Sequence, residues 1–229
     1  MGDGLFEPAH FNHSIPPHCY NRLVNRRFFL IALLAIFCSV RAFPQRGLPV
    51  VACFGDSLTA GYGAAPGHSY PDYLQQALNA RHLRYRVVNL GISGNTTKDG
   101  VERLKDVTGL HPAVVIVEFG GNDGLRGLPL ADTQRNLDTI VSTLQRSGAK
   151  VLLAGITLPP NYGPDYIKPF DKIFPELALK YKVPLMPFLL RNVYKVPGWM
   201  QADGIHATAP GNRQVAQDLM PLLLPLLHK

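Results

Sequence analysis

The sequence predicts one α/β domain, a three-layer α/β/α sandwich built on a mostly parallel sheet of about five strands. Three observations predict it. Short apolar runs alternate with segments of helical periodicity about five times along the chain, the pattern of a parallel sheet covered by helices on both faces. The chain has 229 residues, 46% hydrophobic and 17% charged, which allows a full core and excludes a disordered chain or a coiled coil. Its three cysteines, Cys19, Cys38 and Cys53, are too few for a disulfide scaffold and form no Cys-x-x-Cys or Cys/His cluster that would signal zinc.

Each element follows from local pattern. Pro49 to Phe54 is a short apolar run ending at Gly55, a buried strand. Tyr73, Leu74, Ala77 and Leu78 recur at helical spacing, so 70–81 reads as a helix. Tyr85 to Leu90 is the second strand, residues 98–108 a short helix, and Ala113 to Phe119 a β-branched strand ending in Gly120-Gly121. Leu137, Ile140, Val141 and Leu144 mark a helix closed by Gly148. Lys150 to Ile156 is the fourth strand, Phe170 to Ala178 carries the next helical stripe, and Val183 to Met186 is a short fifth strand. A last helix begins at Val215 to Leu219, and Pro221 and Pro225 are expected to end or kink it.

Residues 1–42 are of another kind. A basic flank, Arg26-Arg27, precedes an apolar run from Phe28 to Val40. As a helix that run reaches roughly 20 Å, short of the ~30 Å hydrocarbon core. With Val40-Arg41-Ala42 after it, the segment reads as a signal peptide cleaved after Ala42, leaving a domain at 43–229. Asn25-Arg26-Arg27-Phe28-Phe29-Leu30 also resembles a twin-arginine signal, so both export routes stay open, with an uncleaved anchor as the alternative. The expected location is periplasmic or secreted. Removing the segment takes away four Arg, Asp3 and Glu7, which lowers the formal charge from +7 to +5. No basic run longer than two remains, so no nucleic-acid footprint is present.

The polar residues immediately after the strands are the informative ones, because ligands of such sheets bind beyond the strands' carboxyl ends. They are Gly55-Asp56-Ser57-Leu58, then Gly91 to Thr96, then Gly120-Gly121-Asn122-Asp123, and finally Asp203-Gly204-Ile205-His206. A hydroxyl, a glycine backbone, an amide and a carboxylate with an imidazole are the parts of an acyl-transfer site. Taken alone, Ser57 after a strand is more often a helix N-cap, and a single Asp or His before a helix is more often a cap or a solvated side chain.

In these four ordered blocks, spanning residues 50–212, the sequence resembles the SGNH, or GDSL-type, hydrolase family. Val117 to Leu128, Leu158 to Gly163 and Trp199 to His206 resemble one branch of it, the bacterial periplasmic acyl-CoA thioesterase/lysophospholipase/arylesterase group. The resemblance implies a flavodoxin-like SGNH fold with Ser57 as nucleophile, His206 as base and Asp203 as the acid that orients it. It also implies an oxyanion hole of the Ser57 N–H, Gly94 and Asn122, with Gly91 as the competing choice in the second block. Asp56 and Asp123 are expected to hold their loops, and His68, His82 and His111 to be surface residues. No Gly-x-Ser-x-Gly elbow, dinucleotide fingerprint, Walker loop or His-Glu-x-x-His occurs.

For the substrate, Leu125 and Leu128 follow the Asn122 block, while Leu158, Pro159 and Tyr162 offer a second apolar wall. Together they favour a fatty acyl group, and Arg126 is either a head-group contact or a solvated charge. The expected activity is a serine esterase acting on fatty-acyl esters and thioesters through an acyl-enzyme, without metal or cofactor. Export disfavours cytosolic acyl-CoA and favours a lysophospholipid or other lipid ester. A monomer with transient membrane-surface contact is expected. The alternatives are a glycan or sugar O-acetyl esterase with the same blocks and a non-catalytic lipid carrier using the same crevice.

Overall fold

The computed structural model describes residues 47–227. The expected export segment, 1–42, lies outside the described residues, as do Cys19 and Cys38. Three strands carry the sheet's centre: β1 (Val50–Gly55), β3 (Val114–Glu118) and β4 (Lys150–Ala154). The first two are buried along their whole length, as a parallel strand covered on both faces must be. β2 (Arg86–Asn89) and the two-residue β5 (Leu185–Met186) flank them. All pairs are parallel, in the order β2-β1-β3-β4-β5. The register sets Gly55 opposite Glu118, and Glu118 opposite Ala154. The chain leaves β1 towards β2 on one side and returns past it to β3 on the other. The switch point of the sheet therefore lies between the ends of β1 and β3, where a crevice is expected.

The helices form two layers. α1 (Ser57–Ala60) is a single turn at the end of β1, and α2 (Tyr70–Ala80) follows it. α2 begins in a capping box: the Ser69 hydroxyl accepts from the Asp72 N–H, and the Asp72 carboxylate accepts from the Ser69 N–H. It packs against α8 (Ala209–Leu227). In the other layer α6 (Leu130–Arg146) packs against α3 (Thr97–Glu102), α4 (Leu104–Thr108) and α7 (Pro164–Tyr181). Tyr70, Phe54, Phe119, Phe170 and Phe174 are the largest fully buried side chains, and Phe54 and Phe119 meet edge to face at 4.8 Å.

Two expectations are corrected. The helix expected over 98–108 breaks in two at Arg103, whose backbone leaves helical geometry (ψ 9°). Its guanidinium reaches inward, donating to the Leu90 carbonyl at 3.2 Å and the Gly55 carbonyl at 3.4 Å, over the Phe54 ring. The last helix begins at Ala209, ahead of the expected Val215, and of the two outcomes expected at its prolines it does not end there but runs through both to Leu227. Each proline removes one donor from the ladder, while Leu219, Met220, Leu223 and Leu227 bury their side chains in the core and hold the final turns in place. Cys53 is fully buried on β1, and burial pushes its thiol far above the ordinary range. Among the described residues no helix is long and apolar enough to cross a membrane.

Candidate active site

The turn after β1 is built by Asp56. Its side chain caps α1, accepting from the Leu58 N–H at 3.0 Å. The cap role open to Ser57 is thus filled by its neighbour, and Ser57 Oγ is left to meet His206 Nε2 at 2.8 Å. His206 Nδ1 lies 2.7 Å from Asp203 Oδ2. Asp203 is acceptor only, so the bond places the proton on Nδ1 and leaves Nε2 to accept from the Ser57 hydroxyl. The other Asp203 oxygen accepts from the backbone N–H groups of Ile205 and His206, which fixes the four-residue loop. Partial burial pushes the Asp203 carboxyl up. The bonds from the His206 ring and the two backbone N–H groups outweigh it, and the carboxyl sits below its ordinary value.

The loop is also held from behind. Gln201 donates its backbone N–H to the His206 carbonyl at 2.8 Å and its amide to the Tyr62 and Ala207 carbonyls, and its own carbonyl accepts from the Gly204 N–H at 3.0 Å. The Tyr62 ring lies 4.7 Å from the His206 ring. Sequence reasoning did not single out either residue; neither carries a motif of its own.

The structure separates the two glycines of the second block. The Gly91 N–H donates to Asn89 Oδ1 at 2.9 Å and is therefore committed. Gly94 has φ +83°, a left-handed conformation that L side chains resist, and its N–H has no acceptor among the described residues. Its carbonyl accepts from the exposed Arg126 at 2.8 Å, which ties the two loops together.

Asn122, second residue of α5 (Gly121–Leu125), reaches the same rim. Both hydrogens of its amide are engaged, one by Asp56 Oδ2 at 3.0 Å and one by the Asn95 carbonyl at 2.9 Å. Asp123 holds its own loop as expected, accepting from the Thr97 N–H and hydroxyl and from Thr133. His68, His82 and His111 are exposed.

Beside this rim opens a crevice of about 290 Å³, bounded by Ser57, Asn122 and His206 and walled by Leu125, Ile156, Leu158, Pro159, Phe188 and Leu190. Three of the five expected wall residues are there. Leu128 and Tyr162 are not. The Tyr162 hydroxyl, at the end of the 3₁₀ turn Pro160–Tyr162, donates to the Leu125 carbonyl at 2.8 Å, and Tyr166 donates to the Leu128 carbonyl at 3.1 Å. Both tyrosines pin the loop whose Leu125 forms the wall. Ile156, Phe188 and Leu190 were missed. They follow β4 and β5, so the rule that ligands sit beyond strand ends applies to apolar residues as well as polar ones.

One further group was missed. Glu118, last residue of β3, is fully buried behind the Ser57 turn. Its Oε2 accepts from the Thr59 hydroxyl at 2.8 Å and from the Asp56 N–H at 3.3 Å, while Oε1 has no partner. Burial, and then the neighbouring Asp56 charge, hold its carboxyl well above the ordinary value. Burial raises Asp56 too, against its bonds to the Leu58 N–H, Glu118 and Asn122. The available signal was a lone acidic residue inside the run Val114 to Phe119.

Comparisons with known proteins identify the family of the chain. Residues 53–214 match the model of the GDSL-like Lipase/Acylhydrolase family. The chain is 40% identical over 203 residues to Esterase TesA of Pseudomonas aeruginosa, covering 88% of this chain and 100% of that protein. It is 37% identical over 194 residues to Thioesterase 1/protease 1/lysophospholipase L1 of Escherichia coli K12, covering 84% and 92%. Among solved structures, a crystal structure of TesA superposes with a TM-score of 0.74 at 42% identity, over 77% of this chain and 99% of that one.

Proposed function

Because the chain belongs to the GDSL-like lipase/acylhydrolase family, and hydrolyses acyl esters as its relatives' names describe, we propose that Ser57, His206 and Asp203 carry out that hydrolysis on fatty-acyl esters and thioesters. The observation that carries this reading is the unbroken run of hydrogen bonds from Ser57 through His206 to Asp203 at the mouth of an apolar crevice.

A serine hydroxyl is a weak nucleophile at neutral pH and needs a base. Ser57 Oγ attacks the acyl carbonyl as its proton passes to His206 Nε2, and Asp203 stabilises the imidazolium and keeps its orientation. The carbonyl oxygen becomes an oxyanion facing the N–H groups of Ser57 and Gly94. Neither of these donates to any acceptor among the described residues, so both are free to meet the developing charge without first breaking a bond. Asn122 joins them by exchanging its bond to the Asn95 carbonyl for one to the oxyanion, while Asp56 keeps hold of the other hydrogen. His206 then returns the proton to the leaving alcohol or thiol. Water, deprotonated by His206, attacks the acyl-enzyme, and the fatty acid departs as Ser57 is reprotonated.

The wall of Leu125, Ile156, Leu158, Phe188 and Leu190 offers hydrocarbon to the acyl chain, which favours a fatty chain over a sugar acetate. The export reading rests on residues 1–42 alone and makes an extracytoplasmic lipid ester the substrate. Purified protein is expected to hydrolyse p-nitrophenyl esters, with octanoate to palmitate preferred to acetate, and to be labelled at Ser57 by a fluorophosphonate. Turnover that survives Ser57→Ala, with labelling elsewhere, would refute the assignment. A preference for acetate would favour the glycan esterase, and lipid binding without turnover on any ester would favour the carrier.

A further inference from the structure

We infer that Glu118 is a positioning residue for this reaction: held as a neutral carboxylic acid under the Ser57 turn, it leaves Asp56 as the single anion that aims the Asn122 amide. The inference deepens the esterase reading above and rests on it.

Geometry carries it. Glu118 is fully buried at the end of a central strand, opposite Gly55. A Cβ on Gly55 would lie 2.1 Å from the Thr59 hydroxyl and 2.6 Å from Glu118 Oε2, so glycine is what lets the carboxyl approach the turn. Thr59 has one proton. If it donates to Glu118, it accepts from Tyr70, whose hydroxyl lies 3.0 Å away. The chain Tyr70 to Thr59 to Glu118 and the Asp56 N–H thus all converge on Oε2, while Oε1 is buried without a partner. An ionised carboxylate with one oxygen unsolvated is far costlier than a neutral acid.

The surroundings select the same charge state. From β1 comes Cys53, from α2 Tyr70, from the turn Asp56, and none of these is a cation. Arg103 spends its guanidinium on the Gly55 and Leu90 carbonyls, and His206 faces the rim. Asp56, in contrast, accepts two N–H bonds, one on each oxygen, from Leu58 and Asn122, the pattern that favours an anion. Two adjacent buried carboxyls cannot both ionise cheaply, so the pair holds one proton, and it stays on Glu118. Asp56 is then fixed at its backbone by Glu118 and at its side chain by Leu58. Its remaining interaction directs the Asn122 amide, whose second hydrogen is held by the Asn95 carbonyl until the oxyanion forms.

The test compares Glu118→Ala with Glu118→Gln, whose amide oxygen keeps both acceptor bonds without any charge. Expected for Glu118→Ala is a fall in kcat of about 10- to 100-fold, smaller than the ~10²–10³ for losing an oxyanion donor outright, with KM little changed. The rate of fluorophosphonate labelling at Ser57 should fall in parallel, and Glu118→Gln should recover most of both. Infrared spectra at neutral pH should show the carbonyl stretch of a protonated acid in the wild type and not in Glu118→Gln. If Glu118→Gln is as slow as Glu118→Ala, if Glu118→Ala keeps the wild-type kcat, or if no such band is lost, the inference is wrong. Should Glu118→Ala fail to fold, the band in wild type against Glu118→Gln decides alone. A wild type that turns over no ester overturns the esterase reading instead, which separates the two failures.

Discussion

Ser57 stands between two carboxylate sites that differ in almost every physical respect. Asp203 is on an exposed loop, its side chain 38% accessible, and its carboxyl is held below its ordinary value by three N–H donors after partial burial has pushed the other way. Asp56 and Glu118 are buried, 2% and 0% exposed, and burial lifts both. The difference teaches that nearness to the nucleophile does not assign a carboxylate its role. Asp203 meets His206 and can balance a charge that forms and vanishes in each turnover. Asp56 meets the Leu58 backbone, Asn122 and Glu118 but makes no bond to His206, so its charge can fix geometry but cannot follow the proton.

The strongest test of that division is Asp203→Asn against Asp56→Asn, both nearly isosteric. Asp203→Asn replaces the acceptor for the His206 Nδ1–H, which favours the wrong tautomer, and kcat should fall by about 10⁴-fold. Asp56→Asn can turn its amide towards that of Asn122, which must then rotate its own hydrogens away. The expected fall is that of a lost oxyanion donor, ~10²–10³. Steady-state kinetics on one p-nitrophenyl ester measures both. Equal losses, or a larger loss at Asp56, would break the distinction.

This contrast also marks what the sequence reveals and what it hides. The alternation of strands and helices, the order of the blocks and the residues after each strand are local, and they place Ser57, Gly94, Asn122, Asp203 and His206 on one rim. The capping of α1 by Asp56 is nearly as legible, because an acidic residue before a helical turn is a familiar cap. Glu118 is not legible. Its meaning comes from Gly55 across the sheet and from Thr59 and Tyr70 on other elements, contacts that only the tertiary fold creates. The crevice divides in the same way. Leu125 and Leu158 sit beside recognised blocks, whereas Phe188 and Leu190 follow the short fifth strand, after which no polar block marks the chain's return to the rim. The continuation of α8 through Pro221 is also a tertiary effect, since the buried leucines and not local propensity hold that turn.

A middle-sized effect probes the crevice independently of either carboxylate site. Leu125→Trp adds bulk to the wall at the end of α5. Turnover of a palmitate ester should fall at least about 10-fold relative to the butyrate ester, because a hydrophobic pocket distinguishes chains by roughly that factor for each methylene it accepts or refuses. The same drop on both esters would mean that the acyl chain lies elsewhere.

The smallest expected effect is the most direct reading of the two electrostatic environments, because the two sites should respond to pH in opposite directions. A carboxyl whose value is depressed in the folded state adds stability above its unfolded value, near ~3.9 for Asp, and loses it as pH falls through the folded value. Asp203 is that case, and with a third or more of its side chain in water the contribution is screened and small. A carboxyl whose value is raised behaves in reverse. Glu118 adds stability below its unfolded value, near ~4.3 for Glu, and loses it as pH climbs towards the folded one. Thermal unfolding from pH 4 upwards should therefore show wild type losing ground to Glu118→Gln as the solution becomes more alkaline. Against Asp203→Asn, wild type should lose ground only on acidification. If the two differences ran in parallel with pH, then one of the carboxyls would carry the opposite charge from the one its donors and burial dictate, and the division between a charge that works and a charge that holds would fail.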